Sequence, residues 1–232
     1  MRLCVIPARG GSKRIPRKNI RDFCGKPILA YSIAAAQESG LFDRVMVSTD
    51  DAEIAEVARA HGADIPFMRP SELADDHTGT NAVVRQAIEW HRQQGMAIDY
   101  ACCLYATAPF VTAQDLRAAY QMLADSGKAF VFSVARFAYP IQRALRLLPE
   151  GVVEMFQLEH RLTRSQDLEP AYHDAGQFYW GRAQAFLDEL PTFAPHALAY
   201  VLPAHRVQDI DTEEDWHRAE LMYRMLQLAG GA

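Results

Sequence analysis

Residues 8–19 read Ala-Arg-Gly-Gly-Ser-Lys-Arg-Ile-Pro-Arg-Lys-Asn. Gly10 and Gly11 leave the backbone free to turn successive N–H groups toward one anion, and Arg9, Lys13 and Lys18 add charge-assisted donors around it. Phosphate oxygens suit such a loop. Two familiar phosphate-binding patterns are missing. GxGxxG is absent, and so is GxxxxGK[ST]; Pro16 also blocks a helix starting at Ser12. Residues 1–26 hold eight basic residues and one acid, Asp22, on a chain whose formal net charge is −5. A compact cationic loop on an acidic protein selects a small polyanionic ligand and argues against a long nucleic acid. The competing reading is a solvated basic turn. The crowding of charge directly behind a buried strand weighs against it.

Asp209-Ile210-Asp211 is a second candidate. Carboxylates at i and i+2 of an extended chain point to one face, as an oxygen-ligand Mg²⁺ site requires. Equally, Asp211 or Thr212 could cap a final helix, with Thr212 and Asp215 as a capping box. The pair Asp50-Asp51 reads as a cap. A third stretch, Arg164-Ser165-Gln166-Asp167 through Tyr172 and His173 to Gln177, is polar and aromatic. It suits a carboxylated, hydroxyl-rich ligand, or it is a surface loop. The eight histidines show no metal spacing such as HExxH, and no Ser/His/Asp or Cys/His arrangement can be argued. The four cysteines form no CxxC pair, so neither a zinc site nor a disulfide framework is implied.

The elements that position these residues alternate. Leu3–Ala8 reads as a buried strand and Pro27–Ser39 as a helix stopped by Gly40. Arg44–Ser48 is a strand, Asp51–His61 a helix, Ile65–Phe67 a short strand, and Thr80–Gln94 a helix ended by Gly95. Tyr100–Tyr105 is a strand, Thr112 opens a helix with Asp115 as its box partner, and Phe130–Val134 is a strand. This rhythm predicts a three-layer α/β/α fold with a mostly parallel sheet. After residue 135 it breaks. Ala144–Leu148 and Val153–Phe156 form a hairpin across Pro149-Glu150-Gly151, and residues 136–175 read as an inserted arm on a single domain covering 1–232. Strand Gln177–Trp180, helix Arg182–Leu190, strand Ala197–Leu202 and a helix from Thr212 complete the chain. The loops after successive strands converge on the carboxyl rim, where open α/β sheets bind ligands. No run of eighteen apolar residues exists, so no membrane span is expected and a cytoplasmic location is.

Ile6-Pro-Ala-Arg-Gly-Gly-Ser-Lys-Arg-Ile-Pro-Arg-Lys-Asn19, followed by Gly25-Lys-Pro27, resembles the signature of the acylneuraminate cytidylyltransferases, the CMP-sialic acid synthetases and their relatives. Arg69-Pro-Ser-Glu-Leu-Ala-Asp75 is similar to the family's second segment and Asp209-Ile-Asp-Thr-Glu-Glu-Asp-Trp216 to its closing metal segment. Tyr105-Ala-Thr-Ala-Pro109, Tyr139-Pro-Ile-Gln-Arg143 and the stretch Arg164–Trp180 resemble the branch acting on pseudaminic acid. Sialate members typically carry Gln-Pro-Thr-Ser-Pro where Tyr105–Pro109 stands.

The resemblance implies a Rossmann-like nucleotidyltransferase with a dimerisation arm at 136–175. It would transfer CMP from CTP to the anomeric hydroxyl of a nine-carbon 2-keto sugar acid and release pyrophosphate. Lys18, Arg9 and Asp211 would be catalytic. Arg9, Gly10, Ser12 and Lys13 would hold the triphosphate, and Asn19, Arg69, Thr80 and the backbone at Ala8 the nucleoside. Tyr105, Thr107, Arg164, Gln166, Tyr172 and Gln177 would lie on the sugar side, and Asp209 and Asp211 would hold Mg²⁺. The resemblance also implies a homodimer. Rival readings are the same chemistry on legionaminic, sialic or deoxyoctulosonic acid, a non-catalytic nucleotide-binding subunit, and a phosphatase or kinase on the same sheet.

Overall fold

The computed structural model describes residues 1–75 and 78–230. Residues 76–77, in the segment expected to join strand Ile65–Phe67 to helix Thr80–Gln94, and 231–232 lie outside the described residues. In chain order the strands are β1 (Arg2–Pro7), β2 (Asp22–Phe23), β3 (Lys26–Pro27), β4 (Arg44–Ser48), β5 (Tyr100–Leu104), β6 (Phe130–Arg136), β7 (Leu145–Leu147), β8 (Val153–Met155), β9 (Tyr172–Arg182) and β10 (Ala197–Val201). The helices are α1 (Ile28–Ser39), α2 (Ala52–Ala60), α3 (Thr80–Gln93), α4 (Ala113–Ser126), α5 (Ala183–Leu187) and α6 (Glu213–Leu228).

Six strands form one sheet in the order β10-β6-β9-β5-β1-β4. β1 pairs in parallel with β4 and β5, and β10 with β6, while β9 runs antiparallel to both neighbours. β1 is an interior strand covered on both faces, which is why Leu3, Cys4, Val5 and Ile6 are all apolar and fully buried rather than alternating. One face is covered by α1, α2 and α4, through Leu29, Ile33, Ile54, Ala58, Leu116 and Leu123. The other is covered by α3 and α5, through Val83, Val84, Ala87, Ile88 and Phe186. The predicted three-layer, mostly parallel α/β architecture is therefore observed.

A third cluster closes the carboxyl rim. Ile15 from the basic loop, Phe23, Ile28 and Tyr31, and Ile210, Trp216 and Ala219 from the far end of the chain are buried together. Trp216 meets Phe23 edge-on at 5.5 Å. This packing brings residues 15 and 210 into one place.

Helix ends follow local chemistry. Asp51 caps α2 by accepting from the Ile54 N–H at 3.0 Å, and Gly40 at φ 64° ends α1. Thr112 with Asp115 and Thr212 with Asp215 form complete capping boxes on α4 and α6.

The structure departs from expectation in three elements. Ile65–Phe67 is not a strand: only Asp64 bridges to β4, because Pro66 has no N–H to continue a ladder. β9 begins at Tyr172 rather than Gln177; Tyr172–Asp174 pair only with β6 and stay exposed, which gives them a loop-like polar pattern. α5 is five residues long, ending before Asp188. In the region expected to be an arm, β7 and β8 pair only with each other, and Leu145, Leu147, Val153, Phe156, Leu158 and Leu162 are exposed.

Candidate active site

The basic loop leaves β1 at Ala8, which is buried and whose N–H donates to the Ser48 carbonyl at 2.9 Å. Gly10 is required for close approach rather than for a left-handed turn. A Cβ there would lie 2.9 Å from the Asp51 Cβ and 2.7 Å from its Oδ2. The Gly10 N–H donates to Asp50 Oδ1 at 2.9 Å, so this donor of the expected anion nest is engaged inside the loop's own anchor. The left-handed residue is Arg17, at φ 54°. Its guanidinium meets Asp51 at 2.5 and 3.0 Å and also pairs with Glu53. This clamp ties the loop to the start of α2. The Arg17 hydrogen bonds hold the Asp51 carboxyl down at about 2, helped by the Ile54 N–H and opposed by partial burial.

Beyond the clamp the chain turns inward. Lys18 donates from Nζ to the Ile210 carbonyl at 2.6 Å and lies 3.4 Å from Asp211 Oδ1. Arg14 donates to the same Asp211 oxygen at 2.8 Å. Asn19 donates to the Arg9 carbonyl at 2.9 Å, and Arg9 donates to the Asp75 carbonyl at 2.8 Å. Arg69 is buried, with its Nε on Ser48 Oγ at 3.0 Å and a second bond to the Ser48 carbonyl. Burial pulls its pKa below the usual arginine value.

These groups surround a cavity of about 270 Å³. Of the residues singled out in the sequence, Arg9, Ser12, Lys13, Lys18, Asn19, Arg69, Thr80, Tyr105 and Thr107 line it. Ala8 and Gly10 stand just behind it as part of the same loop. Asp211 touches the cavity residues Arg14 and Lys18, and Asp209 is two positions before it on the far side of buried Ile210. The cap of α6 is Thr212, so Asp211 is not engaged as one. The Asp209 carboxyl is raised by burial first and by Asp211 second. Burial and the negative charge of Asp211 both disfavour the ionised Asp209 carboxylate, and a hard divalent cation bound there would relieve that. The pair fits Mg²⁺ on that ground, although among the described residues no group of three or more His, Cys, Asp or Glu forms a cation site.

The rest of the predicted sugar side is not gathered at the cavity. Arg164 and Gln166 are exposed within residues 136–175, with Arg164 bonded to its neighbour Asp167 at 2.7 and 3.1 Å. Tyr172 is half exposed at the first position of β9. Gln177 is buried behind Tyr105, whose N–H donates to its carbonyl at 2.9 Å. Its Nε2 donates to Ala175 at 3.1 Å, while its Oε1 has no protein partner among the described residues. The structure adds Arg14, Arg17, Asp75 and Thr78 to the site. Arg14 and Arg17 carried a signal, their place in the same basic run; the αL turn that aims Arg17 at Asp51 carried none.

The profile of the family described as "Cytidylyltransferase" matches residues 3–215. The chain is 50% identical over 223 residues to "Pseudaminic acid cytidylyltransferase" of Campylobacter jejuni subsp. jejuni, covering 96% of each protein. It is 30% identical to "CMP-N,N'-diacetyllegionaminic acid synthase" of Legionella pneumophila subsp. pneumophila, covering 98% of each. The fold matches a solved CMP:2-keto-3-deoxy-manno-octonic acid synthetase complexed with CTP at TM-score 0.69 and 18% identity, over 97% of this chain and 98% of that one. A cytidylyltransferase from Leptospira borgpetersenii gives TM-score 0.60 at 15% identity, over 99% and 94%. A loop of this wording on this sheet, matched along nearly the whole chain, makes the protein a member of the cytidylyltransferase family.

Proposed function

We propose that the enzyme transfers CMP from CTP to the anomeric hydroxyl of pseudaminic acid, a nine-carbon 2-keto sugar acid, and releases pyrophosphate. The observation that carries this reading is the 50% identity to a pseudaminic acid cytidylyltransferase across 96% of the chain. The cavity supports it. Arg9, Lys13, Lys18 and Arg69 give its lining the charge a triphosphate needs, and Tyr105 lines it too, at a position where sialate enzymes carry glutamine.

In this reading Arg9, Ser12 and Lys13 bind the β- and γ-phosphates, while Asn19, Arg69, Thr80 and the backbone at Ala8 hold the nucleoside. Lys18, anchored on Ile210, stands where it can neutralise charge developing at the α-phosphate. The anomeric oxygen bonds to the α-phosphorus, the bond to the bridging oxygen of pyrophosphate breaks, and the hydroxyl proton passes to solvent. Catalysis is then positioning and charge stabilisation. Asp209 and Asp211 would hold Mg²⁺, which would supply further neutralisation of phosphate charge.

We further propose a homodimer built through residues 136–175. The exposed Leu145, Leu147, Val153, Phe156, Leu158 and Leu162 support it, since an apolar surface of this kind on a small hairpin calls for cover. Arg164, Gln166 and Tyr172 would then serve the sugar side from the arm. Pyrophosphate release with CTP, Mg²⁺ and a panel of pseudaminic, legionaminic, sialic and deoxyoctulosonic acids tests the reading. Release with pseudaminic acid is expected; release with sialic acid alone would overturn the substrate, and no release with any acid would overturn the activity.

A further inference from the structure

Arg206 and Asp115, 91 positions apart in the chain, form a forked pair. Arg206 donates from Nη1 to Asp115 Oδ2 at 2.7 Å and from Nη2 to Oδ1 at 3.0 Å. Asp115 is only 3% exposed. The same carboxylate accepts from the Thr112 N–H at 3.0 Å, from Thr112 Oγ1 at 2.7 Å and from the Tyr200 hydroxyl at 3.1 Å. Burial alone would raise the Asp115 carboxyl, but Arg206 and Thr112 overcome it and hold it below its usual value, so the pair is ionic. Neither residue lines the active-site cavity.

The pair instead fixes the chain on either side of it. Arg206 ends the short turn Ala204–Arg206 that follows β10, and α6 starts at Glu213. The chain between them carries Asp209 and Asp211 and belongs to no helix or strand, so no backbone ladder sets its course. Side-chain anchors set it. Ile210 is buried in the rim cluster that also holds Phe110, and its carbonyl accepts from Lys18 at 2.6 Å. The Asp211 N–H donates to Asp215 Oδ2 at 3.2 Å. Arg206 is the anchor at the other end. Its Nη1 also reaches the Phe110 carbonyl at 3.4 Å. One guanidinium thus ties the carboxylate-bearing segment to the start of α4 and to the loop that runs on from the cavity residue Thr107.

Burying an ion pair is a poor source of net stability, because desolvation offsets the Coulombic gain. A forked arginine–carboxylate pair does fix orientation, since it is held at two points. A small octahedral cation in turn demands closely placed oxygens. Resting on the metal-site reading above, we propose that Arg206 is a positioning residue. Through its pair with Asp115 it sets the course of residues 207–211, so that Asp209 and Asp211 face one Mg²⁺ and the Ile210 carbonyl meets Lys18.

Arg206→Met and Arg206→Lys test this in the full-length enzyme. Tyr200→Phe is the control: it takes one hydrogen bond from the same carboxylate and leaves the fork. All are measured well below their melting temperatures. Calorimetric titration with CTP, once with Mg²⁺ and once with EDTA, needs no turnover. Mg²⁺ should tighten CTP binding equally in the wild type and in Tyr200→Phe. In Arg206→Met that gain should fall about tenfold, the scale of losing a contact that supports a metal ligand, while the Kd in EDTA keeps its wild-type value. Arg206→Lys keeps the charge without the fork and should lie between; it carries the test should Arg206→Met lose its fold. With whichever acid the wild type turns over, the Mg²⁺ concentration for half-maximal rate should rise in step, and KM for the acid should not move. A merely structural role would lower Tm and leave the Mg²⁺ gain of the folded variants at the wild-type value, which would overturn the proposal. Absence of any Mg²⁺ gain in the wild type would overturn the metal assignment and the proposal with it. A wild type inactive on every acid would overturn the functional reading, and the calorimetry would still decide the role of Arg206.

Discussion

Lys18 reaches across the chain to donate a hydrogen bond to the Ile210 carbonyl at 2.6 Å, with Asp211 Oδ1 3.4 Å from the same ammonium. The contact joins the basic loop to the acidic segment, and the burial of Ile15 and Ile210 in one cluster holds it. A cation tied down at this point cannot swing into solvent, and a fixed charge costs no reorganisation when negative charge develops beside it.

Lys18→Met should therefore lower kcat by about 10²–10³, the usual cost of removing one preorganised charge donor. Thermal unfolding should show a loss of no more than about 1 kcal/mol, since one hydrogen bond to a carbonyl disappears. Pyrophosphate release and a melting curve on the same preparation check both. A variant that retains full kcat would remove Lys18 from the chemistry.

Asp211 and Thr212 separate function from capping. Thr212 closes the capping box with Asp215, while Asp211 faces Arg14 and Lys18. Thr212→Ala should cost about 1 kcal/mol of stability and leave activity largely intact. Asp211→Asn should do the reverse: activity collapses, the Mg²⁺ concentration for half-maximal rate rises, and Tm barely changes, because half-exposed ion pairs are worth little. Equal stability losses in both variants would contradict the division.

The Arg17–Asp51 pair has a defined pH signature. The Asp51 carboxyl is held at about 2 in the folded chain by Arg17, against an ordinary value near 3.8. A depressed carboxyl stabilises the fold above its unfolded value and loses that contribution as pH falls through the folded one. Asp51→Asn keeps an oxygen to cap α2 but removes the charge. The Tm difference between wild type and Asp51→Asn should be full at pH 5 and close between about pH 4 and pH 2. The stability difference behind it should stay below about 1 kcal/mol, since Arg17 is more than a third exposed and solvent screens the pair. A gap constant over that window would argue that the pair contributes nothing.

Gly10→Ala probes the close approach of loop and helix. Its Cβ would meet the Asp51 Cβ at 2.9 Å, so the loop must move outward and the Arg17 clamp with it. The expected cost is about 1–3 kcal/mol, as for overpacking elsewhere, with KM for CTP raised more than kcat is lowered. Gly11→Ala, where nothing lies within 4 Å, is the control and should be near neutral.

Much of this was legible in one dimension, and the reason is range. A capping box closes over three residues, a glycine ends a helix at its own φ, and a hairpin turn spans a few positions. Thr112 with Asp115, Thr212 with Asp215, Gly40, and the hairpin around Glu150-Gly151 were therefore readable directly. The basic loop was readable for a related reason: its donors are contiguous, so their charge is a property of the chain as written. Tertiary structure decided what is held together by burial alone. Periodicity marks Ile15 and Ile210 as apolar but not as neighbours, and only their shared cluster sets Lys18 beside Asp211. The same holds for the antiparallel course of β9 and for the meeting of Arg206 with Asp115. It holds also for the exposure of Arg164 and Gln166, which do not line the cavity. Local hydrogen bonds select conformation residue by residue, whereas packing selects partners across the whole chain, and the sugar side of this site depends on partners.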